Sequence, residues 1–525
     1  MSIIKAFFVS PLKWLRVTVA VIFFVGIAYA FLRGIPAWNV PNMTGGGEGM
    51  EDSFALAQWQ FVPSVLGTLN WVGVSVAALA ILLALTLLFG RVYCSFLCPL
   101  GILQDIVFRI RRWIRPKVFL KFSRPVPWVR YIILAALVVC CVTGFAGLTL
   151  NWLDPYSIFG RIMYALAWPA AVWGNNLLAA DSASADLVRM DYYPVALPAL
   201  LASAGMLGLV VVMSAWKGRL YCNTVCPVGA LLGLLSRVSL FRLGFDPASC
   251  RKCGKCIKSC KAQCLNLKEY RIDASRCVAC YDCVRACDEG GIRYRWFTRA
   301  RRLIPAKKER KEASSRPSAV ASSPVVVKSS RREFLGATAA GLAGAALSGC
   351  RGDAAQRLDP TQCVLPPGAG SLERFLDVCT GCQMCIASCP THVLQPAYFQ
   401  LGIKGFMKPR MDFSTKYCLY DCHRCAEVCP TGAIRKLPIT AEKDATEITK
   451  DTTRIAVAQF YVCRCLVRRE DMDCGACTEH CPTKALYTVP YIGRDGQEHR
   501  LPKLDPSLCL SLIHISEPTR PRLIS

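Results

Sequence analysis

Between Cys250 and Cys287 the chain reads CRKCGKCIKSC, a short spacer, and then CVACYDCVRAC. Cys250, Cys253, Cys256 and Cys260 stand in the spacing C-x2-C-x2-C-x3-C, and Cys277, Cys280, Cys283 and Cys287 repeat it. Few folds accommodate so many thiols so close together. The 2-2 spacing lets a tight loop wrap three corners of an iron–sulfur cube. The doubled run is the bacterial two-cluster arrangement, in which the fourth thiolate of each run crosses to the other cube. Cys250, Cys253, Cys256 and Cys287 are thereby assigned to one [4Fe–4S] cluster, and Cys277, Cys280, Cys283 and Cys260 to its neighbour. A structural zinc site needs four ligands, not a doubled run. A secreted disulfide framework fits poorly beside a membrane segment and a basic flank. Cys264 is left over and reads as a spare thiol, not a ligand.

The rest of the chain places these cubes in a larger setting. Its 525 residues suggest three or four domains, and a hydrophobic share of 53% points to a membrane part. The net charge of +27 sits in loops beside apolar runs and in a linker. That is the positive-inside pattern, and no nucleic-acid partner is expected. Every His lies at or beyond His392, so the membrane part holds no bis-histidine haem, and no C-x-x-C-H occurs for a covalent one. Cys418 to His423 reads C-x3-C-H, but the residues after it favour a cluster.

Lys5, Lys13 and Arg16 precede an apolar run, Val17 to Leu32. No convincing small-residue cleavage site follows, so it reads as a retained helix. Three further apolar runs, about Trp71 to Phe89, Tyr131 to Leu150 and Pro194 to Trp216, are each near bilayer-spanning length. The loop between the second and third holds Arg91, Arg109, Arg111, Arg112, Arg115, Lys117, Lys121, Arg124 and Arg130 against one acid, Asp105. The segment 34–70 has no Lys or Arg. Four spans with both ends cytoplasmic satisfy this asymmetry. Ile158 to Ala179 reads as interfacial or half-inserted. Cys140 and Cys141 read as small apolar fillers of the third span.

An internal repeat is visible. Gly90-Arg91-Val92-Tyr93-Cys94-Ser95-Phe96-Leu97-Cys98-Pro99-Leu100-Gly101 matches Gly218-Arg219-Leu220-Tyr221-Cys222-Asn223-Thr224-Val225-Cys226-Pro227-Val228-Gly229. Each copy follows a span at its cytoplasmic end. Each C-x3-C pair sets two thiols about one helical turn apart. Cys94, Cys98, Cys222 and Cys226 could meet at the inner surface, where they would ligate a further cluster, form a redox thiol pair, or shape helix ends. Two GR-x-Y-C-x3-C-P-x-G repeats after membrane helices, followed by a two-cluster ferredoxin, resemble the NapH-type membrane ferredoxins. Relatives of that group include NosR of nitrous oxide respiration and the RdxA/CcoG oxidase-assembly proteins. The resemblance covers about residues 1–300. It implies quinol oxidation at the membrane with electrons passed to iron–sulfur clusters. A flavin-binding domain of the NosR sort is not seen.

Residues 298–330 are basic and rich in Ser, Pro and Ala, which reads as a flexible cytoplasmic linker. It ends in Ser330-Arg331-Arg332-Glu333-Phe334-Leu335, followed by a small-residue apolar stretch to Leu347-Ser348-Gly349-Cys350. This resembles an internal twin-arginine export signal closing on a lipoprotein-type box; the competing reading is a chance Arg pair. Clusters inserted in the cytoplasm need a route that exports folded protein. Three further runs follow: Cys379, Cys382, Cys385 and Cys389; Cys418, Cys422, Cys425 and Cys429; and Cys463 or Cys465 with Cys474, Cys477 and Cys481. Leu504 to Cys509 looks like the start of a fourth, and Cys363 has no assigned role. This half resembles the NapG/MauM-type periplasmic ferredoxins, which carry four clusters. The analogy with nested four-cluster ferredoxins implies Cys418, Cys422 and Cys425 with Cys481. It implies Cys474, Cys477 and Cys429 with Cys463 or Cys465, and outer runs paired likewise, Cys389 serving the fourth cluster. The tail looks like translated sequencing-adapter DNA, so a truncated gene model is expected there.

The expected domains are a membrane domain over 1–240, a cytoplasmic two-cluster ferredoxin over 241–297, the linker over 298–330 and the export signal over 331–350. A periplasmic multi-cluster ferredoxin over 351–509 and an artefact over 510–525 complete the chain. The fold class is an α-helical membrane bundle of about four spans plus α+β bacterial-type ferredoxin modules. The cofactors are [4Fe–4S] clusters, two cytoplasmic and two to four in the C-terminal half. No acid pair, nucleophile triad or phosphate loop stands out, so the protein's expected task is to hold clusters and tune their potentials. The resemblance implies a quinol dehydrogenase component of the bacterial inner membrane. Its partners would be the quinol pool, the lipid bilayer and a periplasmic redox acceptor protein. Asp154, Asp181, Asp186 and Asp191 are candidate quinol-proton acceptors, solvated loop acids being the plainer reading. A reductive assembly factor and a subunit with structural clusters are the rival readings.

Overall fold

The computed structural model describes residues 11–32, 56–69, 73–114, 122, 127–181, 189–190, 195–246, 249–296, 364–413, 416–419, 422–437, 462, 465–481 and 483–510. The linker and twin-arginine stretch, Cys350, Cys363, Cys463, Asp186, Asp191 and residues 511–525 lie outside them.

The first described segment carries charge only in its first two turns and is otherwise apolar; it forms helix α1, Pro11–Leu32. There follow α2 (Phe61–Leu69), α3 (Gly73–Phe89), α4 (Tyr93–Phe96) and α5 (Pro99–Ile114). Next come α6 (Pro127–Val142), α7 (Ala146–Leu153), α8 (Pro155–Ile162) and α9 (Trp168–Asp181), the last two joined by a π-helical turn, Met163–Ala167. Then come α10 (Leu197–Lys217), α11 (Leu220–Thr224) and α12 (Pro227–Leu235). By length and composition α1 and α10 can cross a membrane; α3 and residues 128–142 of α6 are apolar but shorter. Ile22, Val25, Ile81, Val139, Leu201 and Val212 on these helices are exposed, a distribution that water does not favour.

The third apolar run stops sooner than Leu150. Gly144, at φ +75°, turns the chain after Val142, and α7 runs back into the bundle. The stretch expected to be half-inserted is helical and packs against α1 and α10. Asp154 is not a solvated loop acid. It is buried and caps α8, accepting hydrogen bonds from Ser157 N at 2.9 Å and Ser157 Oγ at 2.7 Å.

Strands β1 (Phe241–Phe245), β2 (Leu265–Asn266), β3 (Arg271–Ile272) and β4 (Ile292–Trp296) pair antiparallel, β1 with β4 and β2 with β3. They frame the cysteine runs from Cys250 to Cys287. Farther on, β5 (Leu394–Pro396) pairs with β6 (Pro409–Met411), and β7 (Leu486–Ile492) with β8 (Glu498–Leu504).

The two cysteine-rich parts hold α1 at opposite ends. At its start, Lys13 Nζ lies 2.6 Å from Asp282, and Arg16 Nε donates to Ser95 O at 3.2 Å. At its far end, Ile27, Ala30 and Phe31 share a core with Cys379, Cys382 and Cys385. At 1.5 Å per residue, Lys13 and Phe31 stand about 27 Å apart along the axis.

Candidate iron–sulfur sites

Left-handed backbone recurs at matching places in the cysteine runs. Lys252, Ala279 and Gly381 precede the second cysteine of their runs at φ +55°, +50° and +64°. Gly254, Tyr281 and Gln383 follow it at +73°, +57° and +64°. Two such residues around one cysteine coil the loop so that its three sulfurs face one point. Most of these positions are not glycine, and such backbone persists only where the surroundings over-determine it. A further left-handed residue lies three positions after the fourth cysteine: Gln263, Gly290, His392, Gly432 and Lys484. This turn aims backbone N–H groups at the fourth sulfur. Gly291 N donates to Cys287 Sγ at 3.2 Å and Ile434 N to Cys429 Sγ at 3.5 Å.

Cys250, Cys253, Cys256 and Cys287 line one cavity of about 160 Å³. Cys260, Cys277, Cys280 and Cys283 line the next. The sulfurs therefore meet in the crossed sets expected from the spacing. Burial pushes the Cys256 thiol up to about 11 and the Cys280 thiol up to about 12. Cys264 does not stand apart. Its Sγ lies 3.7 Å from that of Cys260, it bonds Cys277, and it lines the same cavity. It is a fifth sulfur at the second site. The matching position of the other runs holds Gly291, Val393, Ala433 and Ala485, so spacing alone carries no signal for it.

The C-terminal runs group differently from the nested scheme. Cys429 lies near enough for its charge to act on Cys379, Cys382 and Cys385. The first two runs stand together, with Cys429 beside the first run, whereas the groups that act on Cys477 are Cys474 and Cys465. The reason is local: the spacer between them folds as the β5–β6 pair and returns the second run beside the first. Cys425 also reaches Cys385, Cys418 packs against the same core, and Cys422 is half-buried. Cys389 Sγ lies 3.7 Å from Thr391 Oγ1, and Cys429 and Cys481 repeat that contact with Thr431 and Thr483. Farther on, Cys465 and Cys474 act on Cys477. Cys481 faces the N–H groups of Leu486 and Ala485, and Cys509 follows β8.

The internal repeat folds as a reciprocal pair. Gly90 and Gly218, at φ +80° and +65°, end α3 and α10. The arginines that follow cross over. Arg91 Nη2 donates to Cys222 O at 3.0 Å, and its Nη1 to Asn223 Oδ1 and Ser275 O at 2.9 Å. Arg219 Nη1 donates to Cys94 O at 2.6 Å and its Nε to Asp105 Oδ1 at 2.8 Å. Each copy thus satisfies a carbonyl of the other. Pro99 and Pro227 open α5 and α12, where no N–H is needed. Gly101 and Gly229 lie against the same two carbonyls, where a Cβ would overlap Cys94 O and Cys222 O. Cys94, Cys98, Cys222 and Cys226 come together, all buried, in one core. Sequence reasoning missed Arg91, Arg219 and Asp105 as parts of this site. Asp105 is buried beneath Arg16, Arg219 and Lys261, the last at 3.0 Å. Its lone occurrence in a basic loop was the available signal.

Residues 71–118 and 198–246 match the family described as a 4Fe-4S binding domain, and residues 378–433 match a 4Fe-4S dicluster domain. The first pair of matches carries the two repeats, and the third carries the two runs that the structure pairs. The ferredoxin-type protein NapH of Escherichia coli is 26% identical over 223 residues, which are 40% of this chain and 64% of NapH. The chain is similar to the NapH-type ferredoxins. The methylamine utilization ferredoxin-type protein MauN of Paracoccus denitrificans is 29% identical over 217 residues, 40% of this chain and 61% of MauN. The regulatory protein NosR of Pseudomonas aeruginosa is 29% identical over 199 residues, 38% of this chain and 24% of NosR. The chain therefore spans less than two thirds of each of these relatives. No solved structure matches it. The matched domains make it an iron–sulfur protein.

Proposed function

We propose that this protein is a membrane-bound quinol dehydrogenase component that passes electrons through iron–sulfur clusters to a redox acceptor protein on the outer face. The observation that carries this reading is the attachment of the two cysteine-rich parts to opposite ends of α1, a helix of bilayer-spanning length. Asp105 of α5 pairs with Arg16 near the start of α1, and Arg109, Arg111 and Arg112 follow it on α5, which supports a cytoplasmic assignment of that end. The 379–429 runs then belong to the periplasmic side, as export through a twin-arginine route would require.

Bound clusters would supply one-electron transfer. The chain's residues do the rest. Cys250, Cys253, Cys256 and Cys287 would hold one cluster, and Cys260, Cys277, Cys280 and Cys283 its neighbour. Cys379, Cys382, Cys385 and Cys429 would hold a third beyond the bundle, with Cys389, Cys418, Cys422 and Cys425 completing that unit. The buried walls keep water out, and the N–H groups at Cys287 and Cys429 favour the more negative, reduced form.

The test is anaerobic. A reduced quinol analogue is added to the purified full chain and the clusters are followed by EPR. Reduction faster than by a soluble donor of similar potential supports the reading. No reduction of clusters that dithionite still reduces would replace it with a reductive assembly factor supplied from the cytoplasm.

A further inference from the structure

We infer that Arg161 of the helix bundle, together with Lys408 of the outer part, raises the reduction potential of the cluster proposed at Cys379, Cys382, Cys385 and Cys429, so that the bundle tunes the outer cluster docked against it. This rests on a cluster being held there and not on quinol as the donor.

The first outer run lies directly on α7 and α8. A Cβ at Gly160 would overlap Cys382 O, and one at Gly381 would overlap Asn151 Oδ1. Asn151 Nδ2 donates to Phe406 O at 2.7 Å, and Tyr156 Oη lies 3.7 Å from Met384 Sδ. The joint is thus closed over the loop that carries the cysteines, and a charge held in it is weakly screened.

Arg161 stands in this joint, 3% exposed. Its guanidinium lies 5.7 Å from the centre of the Trp152 ring, which in turn stacks on Phe406 at 5.5 Å. Nε donates to Ser157 O at 3.3 Å, one turn back on the same helix, whereas the buried Nη2 has no partner. Among the described residues no carboxylate lies within ion-pair distance of Arg161. Asp154 acts on it from farther off, but the oxygens of that carboxyl are taken by the N–H groups of Tyr156 and Ser157 and by Ser157 Oγ. Cys379 and Cys382 are also within reach of the Arg161 charge. Lys408, from the outer part itself, acts on Cys379 as well. It is wholly buried and donates to Leu376 O, again with no carboxylate at ion-pair distance among the described residues.

A buried cation without a counter-charge is strongly unfavourable. Four neutral thiols supply none, whereas four thiolates around an iron–sulfur core leave the site anionic, and reduction adds one more negative charge. Two cations with no other counter-ion therefore favour the reduced form. The transfer is of one electron alone, with no bond made or broken. Because Arg161 belongs to the bundle, the potential of the outer cluster depends on docking, and electrons arriving at the bundle are drawn toward the outer part.

The test uses the full chain in detergent, with iron counted and the clusters titrated with redox mediators under EPR. The component to follow is the one that Cys382→Ser removes. Arg161→Gln should lower the midpoint potential of that component and leave the others in place. Arg161→Lys, which keeps the charge, should restore most of the shift, and Lys408→Met should lower the same component. A purely structural Arg161 would instead speed proteolytic release of the 364–437 part with no change in potential. That result, or a titration of Arg161→Gln in which a different component moves, would overturn the inference. Should Arg161→Gln lose the cluster outright, Arg161→Lys decides: iron retained there supports the role of the charge, and iron lost in both refutes it.

Discussion

Asp105 is the one acid of a strongly basic loop, and its carboxyl shows how a single side chain organises the inner end of the bundle. Burial alone would push its pKa up, but Arg219, Lys261 and Arg16 outweigh burial and hold it well below the usual carboxylate range. A carboxylate with a depressed folded pKa adds stability above its unfolded value, near 3.9, and loses it only as the pH falls toward the folded value. The Asp105→Asn variant strands three cations that share its carboxylate, which should cost about 3–5 kcal/mol. Thermal unfolding in detergent should show that deficit unchanged between about pH 5 and pH 8. Cys264 supports a second prediction. Its thiol lies beside Cys260 and Cys277, so Cys264→Ala should keep all iron but lower one midpoint potential, read by EPR-monitored titration. Cys260→Ala should still bind the cube by using Cys264, and Cys260→Ala/Cys264→Ala should lose it. Equal iron loss in both Cys260 variants would remove this role. Ligand runs were legible here because cube chemistry acts within ten residues. Cys264 was not, because its nearness to Cys277 depends on β2 and β3 turning the chain back.

At the scale of elements, the repeat and α8 do the positioning. Conserving the order glycine, arginine, cysteine, cysteine-proline, glycine within one chain made the repeat readable. The exchange of arginines between copies was not readable, since nothing in the order says that copy one satisfies copy two. The kink at Gly144 was hidden for a related reason: an apolar run signals burial from water but not where a helix ends. Gly160 on α8 is a close approach of the bundle to the outer part, where a Cβ would overlap Cys382 O and press on Phe31. Gly160→Ala should therefore weaken that docking by about 1–3 kcal/mol. The expected sign is faster proteolytic release of the 364–437 part, with the inner clusters' EPR signals unchanged. Release at the unaltered rate would show that α8 does not hold the outer part.

For the whole molecule, the arrangement sets two iron–sulfur parts on opposite ends of helices that bury little of their apolar surface. On the proposed reading a membrane around those helices would place the Cys250 to Cys287 part and the Cys379 to Cys429 part on opposite faces. An epitope inserted in the exposed turn at Asp495 and Gly496 should be cut by protease added to spheroplasts. One inserted between Lys268 and Glu269 should survive until the membrane is opened. Cleavage of both from the same side would exclude a path that crosses the membrane.

The sequence by itself determined which loops can wrap a cube, where apolar helices lie, and that two copies of one cysteine motif follow two of them. Those properties reside in spacings of a few residues and in local composition, so they survive without a fold. Only the tertiary structure decided that Cys429 stands with the first outer run, that Cys264 joins the second inner site, and that the repeats meet with crossed arginines. It alone set α8 between the buried thiols and the outer cysteines. These are meetings of segments far apart in the chain, governed by helix packing and by the satisfaction of buried charges and carbonyls, and cysteine spacing carries no information about them.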